Sequence, residues 1–265
     1  MRIFIPLLVF LLIGCQQAEQ ELTIEEREGL MYVIGSDSLF AGLRTEYFDN
    51  GNIAFRSPYK DGLMNGKTIW WHENGQRSSE GMMSKGKKEG VWTEWDENGN
   101  ITAVGIFQNN LLNGKYQELH PNGAVAAEGI KKDGKSVGLY KVYDESGRLE
   151  NEMMFNENGL PHGESKSYFL NGQLHEHIQH VEGEKHGEVK TYYESGKLHT
   201  HGKYKNGKLD GKLLVYHENG QLNAETYHEL GSREGKWKYF TTSGKLVEER
   251  VYKDSTLIET VDYRK

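Results

Sequence analysis

One cysteine, Cys15, stands in 265 residues, so an internal disulfide and a multi-thiolate metal site are both excluded. Apolar residues make up only 36% of the chain, too few for a thick single core. A formal charge of -7 with no basic stripe argues against a nucleic-acid footprint. No block of consecutive like charges is long enough to form an acidic or basic tail. No segment keeps apolar residues at i, i+3, i+4 and i+7 over three turns, so helices are expected to be nearly absent. Enzyme signatures are missing too: there is no Gly-x-Ser-x-Gly elbow, P-loop, dinucleotide fingerprint or His-Glu-x-x-His. The acidity does not imply disorder, because aromatics reach 11% and tyrosine alone occurs 15 times. The other abundant residue is glycine, with 32 copies.

The first residues form a separate module. Met1-Arg2 is charged, and residues 3–13 are almost wholly apolar around Pro6. This run is shorter than the roughly 20 apolar residues that span a bilayer, and it reads as a secretory signal peptide over 1–14. Leu12-Ile13-Gly14-Cys15 resembles the bacterial lipobox of lipoproteins. The resemblance implies cleavage before Cys15, acylation of Cys15 and stable anchoring by several acyl chains. No aspartate follows Cys15 directly, which points to the outer membrane as the destination. Residues 15–30 are expected to serve as lipid anchor and polar tether, and 31–265 as a repeat array.

The array is read from glycine spacing. Turn dipeptides occur at Asn50-Gly51, Asn74-Gly75, Asn98-Gly99, Asn122-Gly123, Ser146-Gly147, Asn171-Gly172, Ser195-Gly196, Asn219-Gly220 and Ser243-Gly244. Successive glycines differ by 24, except 172 − 147 = 25. A second series keeps the same step: Gly42, Gly66, Gly90, Gly114, Gly138, Gly163, Gly187, Gly211 and Gly235. A third lies four residues before the second, as in Gly62, Gly86, Gly207 and Gly231, with Asn110 substituting once. Asn-Gly between hydrophobic segments predicts a type I′ hairpin turn, which needs positive φ at both central residues. Each unit is therefore expected to hold a strand, an Asn-Gly turn, a second strand and a looser Gly-x-x-x-Gly turn. In the clearest copy this makes Gly211, Gly220 and Gly231 turn residues. The extra residue of the 25-residue unit is placed in Asn156-Glu157-Asn158, where it leaves strand register intact.

Several columns repeat with the glycines. Tyr47, Trp71, Trp95, Leu119, Tyr143, Tyr168, Tyr192, Tyr216 and Phe240 lie five residues after the second series. Trp92, Tyr116, Tyr140, Val189, Leu213 and Trp237 lie two after it. A spacing of three is not strict strand alternation, so a bulge or strong twist near the turn is expected. The columns read as packing ladders; the competing reading is an exposed aromatic groove. Glu80, Glu128, Glu152, Glu225 and Glu249 form a carboxylate column, with Lys67, Lys115, Lys212 and Lys236 beside it. Cross-strand ion pairing explains these better than catalysis, which needs one asymmetric constellation.

Histidines break the regularity. His175, His177, His180, His186, His199 and His201 crowd two neighbouring copies. Strand periodicity puts His175 and His177 on one face, where two imidazoles could meet a metal. No third ligand at a fixed spacing completes the set, so no metal, cofactor or catalytic residue is assigned.

Gly211-Lys212, Tyr216, Asn219-Gly220, Leu222, Glu225 and Tyr227 together resemble the unit of the MORN-repeat-variant family, also known as YwqK-type antitoxin or immunity-like repeat proteins. The resemblance implies long meanders of antiparallel hairpins, with some members acting as immunity partners of secreted toxins. The expected fold is thus an all-β, elongated, single-layer antiparallel meander of about nine 24-residue hairpin repeats, twisted or superhelical, with 261–263 adding a last partial strand. The expected function is a non-enzymatic, membrane-anchored surface that binds a protein in the bacterial cell envelope. The alternatives are a toxin-neutralising immunity protein and a glycan-binding or carbohydrate-active protein using Trp71 and Trp95. Cys15→Ala is expected to abolish membrane retention; unchanged detergent partitioning of the variant would rule out the lipid anchor.

Overall fold

The computed structural model describes residues 23–264. Cys15, the signal peptide and the first half of the tether segment lie outside the described residues. The chain divides into two compact units, one ending at Lys135 and the other starting at Ser136. Among the described residues there is no helix. The first unit contains β1 (Ile24–Arg27), β2 (Leu30–Val33), β3 (Gly42–Tyr47), β4 (Ile53–Lys60), β5 (Leu63–Met64), β6 (Gly66–Trp71), β7 (Arg77–Ser84), β8 (Lys87–Trp95), β9 (Ile101–Gln108), β10 (Leu111–Leu119) and β11 (Val125–Lys132). The second is built from β12 (Lys135–Tyr143), β13 (Leu149–Phe155), β14 (Pro161–Tyr168), β15 (Leu174–Val181), β16 (Glu184–Tyr192), β17 (Leu198–Lys205), β18 (Lys208–Leu209), β19 (Gly211–Tyr216), β20 (Leu222–Glu229), β21 (Ser232–Phe240), β22 (Leu246–Lys253) and β23 (Thr256–Asp262).

In each unit the strands pair antiparallel with their sequence neighbours, which is the expected hairpin meander. The last strand is longer than the partial one expected, covering Thr256–Asp262. Strands β1 and β2 form a separate hairpin. That hairpin takes in residues 24–30, which the sequence reading placed in the tether. It caps the first repeat: the Met31 amide donates to the Gly62 carbonyl and the Phe40 amide to the Met31 carbonyl, at 3.0 and 2.8 Å. Met31, Phe40, Phe55 and Tyr59 close around one buried cluster beneath it.

The two turn types are exchanged relative to expectation. At Asn50-Gly51 the Phe48 amide donates to the Asn52 carbonyl, and the Gly51 amide to the Phe48 carbonyl. The loop therefore has three residues, and only Gly51 has positive φ. This is a type I turn followed by a left-handed glycine, not a type I′ turn. Every Asn-Gly or Ser-Gly dipeptide of the series repeats the pattern. Type I′ geometry occurs at the opposite end, which the sequence reading took for the looser turn. There Lys60 pairs with Leu63 around Asp61-Gly62, both at positive φ (53° and 74°). Lys85-Gly86, Asn109-Asn110, Glu182-Gly183, Asn206-Gly207 and Leu230-Gly231 do the same. The extra residue at Asn156-Glu157-Asn158 converts one such loop to the three-residue type: the Gly159 amide donates to the Asn156 carbonyl at 3.0 Å. Register beyond the turn is kept, as expected.

The asparagine reinforces a turn that the Ser-Gly copies also make. Its Oδ1 accepts the amide two residues on, as in Asn50 to Asn52 at 2.9 Å. Its Nδ2 donates to a carbonyl 23 residues further on: Asn50 to Glu73, Asn74 to Glu97, Asn171 to Glu194 and Asn219 to Thr242, at 2.6–2.8 Å. At the other end, the second loop residue donates its amide to a carbonyl 22 residues earlier, as in Gly86 to Met64 and Gly207 to Lys185, both 2.9 Å. Successive repeats are thus latched together at both ends of the hairpin.

The second glycine series does not form turns. Gly66, Gly163, Gly211 and Gly235 lie within hairpin-forming strands, at positive φ. Register slips beside several of these glycines, as between Glu225/Tyr227 opposite the Gly235 segment. Gly211 is therefore a bend residue inside its hairpin arm. A second bulge follows each three-residue turn, with Ser78 and Asn223 as extra residues, for example. It lies in the strand after the turn and leaves the strand that carries both aromatic columns uninterrupted. Plain alternation over the spacing of three places Trp92 and Tyr116 on one face of the sheet, and Trp71 and Trp95 on the other.

A fourth glycine column went unnoticed in the sequence. Gly81, Gly105 and Gly202 stand six residues after their turn glycines, beside bulky side chains of the next strand. Gly81 pairs with Trp92, which is 1% exposed. Any Cβ on Gly81 would overlap the Trp92 indole; on Gly105 it would strike Leu112 and Tyr116. Where the column is not glycine it stays compatible with its neighbour, as in Ser57, whose hydroxyl meets Thr68 at 2.6 Å. Overpacking of this kind costs about 1–3 kcal/mol. Gly81→Ala is expected to lower stability by that amount in chemical denaturation, and Trp92→Leu in the same chain to restore part of it. Asn219→Ala, which removes a latch, is expected to cost about 1 kcal/mol. Ser195→Ala, at an equivalent position, should cost less.

Candidate binding surfaces

The aromatic face of the first unit carries a staircase of rings. Phe55 and Trp70 lie 5.2 Å apart, Trp70 and Trp92 5.5 Å, Trp92 and Phe107 6.3 Å. Tilted and edge contacts of this kind add about 0.5–1.5 kcal/mol per pair beyond area burial. One cation lies along the staircase: Lys88 Nζ is 4.4 Å from the Trp92 ring and 4.9 Å from that of Phe107. Where the rings leave the capped cluster they border an open cleft of about 650 Å³. Its walls include Phe48, Phe55, Tyr59, Trp70, Arg44, Glu46, Ser78, Ser79 and Lys88. Arg44 is ion-paired with Glu46 and donates to the Tyr59 hydroxyl at 3.3 Å. Burial pushes the Tyr59 phenol above its usual range against the opposing pull of Arg44, so it stays neutral. Trp71 and Trp95, the sequence candidates for stacking, border a smaller depression with Gln76 and Arg77, and Trp71 also lines the larger cleft.

The other face is a charge ladder, clearest in the second unit. Cross-strand neighbours run Glu152, Lys166, His177, Lys190, His201, Leu214, Glu225, Lys238 and Glu249. Lys166 Nζ is 2.9 Å from Glu164 and 3.5 Å from Glu152, and Lys190 Nζ is 3.2 Å from Glu188. Hydrogen bonding to those lysines holds the Glu164 and Glu188 carboxyls below their usual range. Lys212–Glu225 at 2.9 Å and Arg77–Glu80 at 3.0 Å continue the pattern. The carboxylate column is therefore an ion-pairing ladder. With these lysines 30–55% exposed, each pair contributes roughly 0–1 kcal/mol. Apolar side chains share this face in the open: Val91 is 58% exposed and Met82 49%.

The histidines separate. His175 is the extra residue of a bulge; it lies on Phe169 at 4.5 Å and its Nδ1 meets the Ser167 hydroxyl at 3.4 Å. His177 faces the opposite way, with Nε2 3.6 Å from Glu164. The two do not share a face, because the bulge resets the alternation that their spacing implied. His199 and His201 repeat the arrangement, on Tyr193 at 4.5 Å and beside Glu188 at 3.6 Å. Among the described residues no group of three or more His, Cys, Asp or Glu is placed to hold a metal.

His180 is the most buried histidine, and its Nδ1 has no hydrogen-bond partner. Burial, with Lys185 adding repulsion, lowers its pKa below the ordinary histidine value of 6.5; Glu176 opposes. A folded-state pKa below the unfolded one means that the unfolded chain takes up the proton first. The contribution of His180 is complete above about pH 6.5 and is lost as pH falls through the folded-state value. Thermal unfolding is expected to show a midpoint that falls between pH 7.5 and 5, with a smaller fall in His180→Phe.

Comparison with known proteins bears on the whole array rather than on either surface. The sequence matches the MORN repeat variant family seven times, over residues 41–61, 88–109, 136–157, 161–182, 185–206, 209–229 and 233–254. No curated protein matches. Among solved structures, TcdB2-TccC3 is 12% identical with a TM-score of 0.22, over 86% of this chain and 14% of that one. The Photorhabdus luminescens Tc holotoxin pore is 13% identical with a TM-score of 0.19, over 96% of this chain and 16% of that one. The chain thus spans about one seventh of the length of these structures, and at such scores they carry no structural argument. The family matches cover more than half of the sequence and recur in phase with the hairpins: the chain belongs to the MORN repeat variant family.

Proposed function

We propose that the chain is a non-enzymatic repeat protein, anchored to a membrane of the bacterial cell envelope through Cys15, that presents its charged face to another protein. The observation that carries this reading is the composition of that face. In the first unit Met82 and Val91 stand 49% and 58% exposed on the face of the Lys67–Glu80 pair, and in the second Tyr227 stands 46% exposed on the face of Lys212–Glu225. Exposed apolar groups bordered by charge are the makeup of a protein interface, with anchors inside and a polar rim. Repeats widen such a surface without requiring a thick core.

Photo-crosslinking from position 91 in intact cells is expected to capture one defined protein, and a probe at Asp254 in an edge turn to capture none. Equal, diffuse capture from both sites would refute the interface. The narrower reading, neutralisation of a toxin, rests on the family resemblance. It requires a stoichiometric complex and death of cells that carry the toxin without this protein.

A further inference from the structure

The cleft on the aromatic face differs from the rest of the array, because its chemistry is not repeated. Phe48, Phe55 and Trp70 supply ring surfaces, and Arg44, Glu46 and Ser79 supply donors and acceptors beside them. At about 650 Å³ it lies within the range of small-ligand sites. Its charges restrict the occupant. Arg44 and Glu46 neutralise one another, and Lys88 rests on the Trp92 and Phe107 rings. An anion would meet the Glu46 carboxylate, and a cation would meet Arg44 and Lys88. A wholly apolar ligand would strip water from Arg44, Glu46 and Ser79 without replacing it. A proline-rich peptide offers carbonyls but few N–H groups, so it would leave Glu46 unmatched. A ligand with apolar ring faces and hydroxyls at its edges satisfies every group, since a hydroxyl both donates and accepts.

We propose that this cleft binds an uncharged oligosaccharide, stacked on Trp70 and Phe55 and hydrogen-bonded by Arg44, Glu46 and Ser79. It lies on the opposite face from the protein-binding surface and stands or falls independently of it.

The test is titration of the full chain with tetrasaccharides of β-1,4-glucose, α-1,4-glucose and β-1,4-N-acetylglucosamine, followed by calorimetry and tryptophan emission. At least one is expected to bind saturably. Glu46→Ala should weaken binding at least tenfold, and Tyr227→Ala, on the other face of the second unit, should leave it unchanged. Should Glu46→Ala fail to fold, Phe48→Ala, at the margin of the cleft, is expected to give the same loss. Absence of saturable binding by any of the three sugars would overturn the proposal. So would affinity unaffected by the cleft variants, or binding confined to a proline-rich decapeptide run in parallel.

Discussion

A hairpin of this chain cannot stand alone, and the latching of each turn onto a neighbouring repeat is what the remaining structure depends on. Two strands bury little apolar surface and leave rows of unpaired backbone groups at their edges. Here the edges are satisfied by the next hairpin, and the turns are satisfied as well. Asparagine amides reach forward 23 residues at one end, while loop amides reach back 22 residues at the other. The two turn chemistries are therefore unequal. At Asn50, Asn74, Asn171 and Asn219 one presents a side chain with both an acceptor and a donor. The other must turn in two residues so that its backbone N–H projects onto the preceding repeat.

Once the spacing between repeats is set, side chains pack by columns. A bulky ring on one strand requires a glycine or small residue beside it on the next, as Trp92 requires Gly81. The spacing of three within the first strand of each hairpin sends one aromatic column to the buried face and the other to the charged face. The bulge after each three-residue turn then shifts alternation by one residue in the second strand. Function follows from that partition. The charged face is nearly periodic and suits an extended contact. The aromatic face loses its periodicity near the β1–β2 cap, and there the cleft opens.

Much of the fold was legible. The 24-residue glycine rhythm, the location of the inserted residue, the lack of helix among the described residues and a bulge near the turn all follow from local backbone chemistry. The exchange of turn types was not legible, because Asn-Gly fits either a two-residue loop or the end of a three-residue loop. Strand register settles the loop length, and the Ser-Gly copies share it. Gly81 and Gly105 were missed for a related reason. They have ordinary backbone angles in a strand, and only the neighbouring ring makes a side chain impossible. His175 and His177 do not share a face because a bulge after the turn makes His175 the extra residue of its strand, and a spacing of two does not reveal it.

The sequence by itself determined the repeat, its strands and its ladder of opposite charges, since each rests on residues within a unit or at fixed phase between units. Tertiary structure alone decided which turn is which, which aromatic column is buried and where the cleft lies. Those outcomes depend on contacts between side chains roughly one repeat apart, and on the cap that β1 and β2 place over the first hairpin.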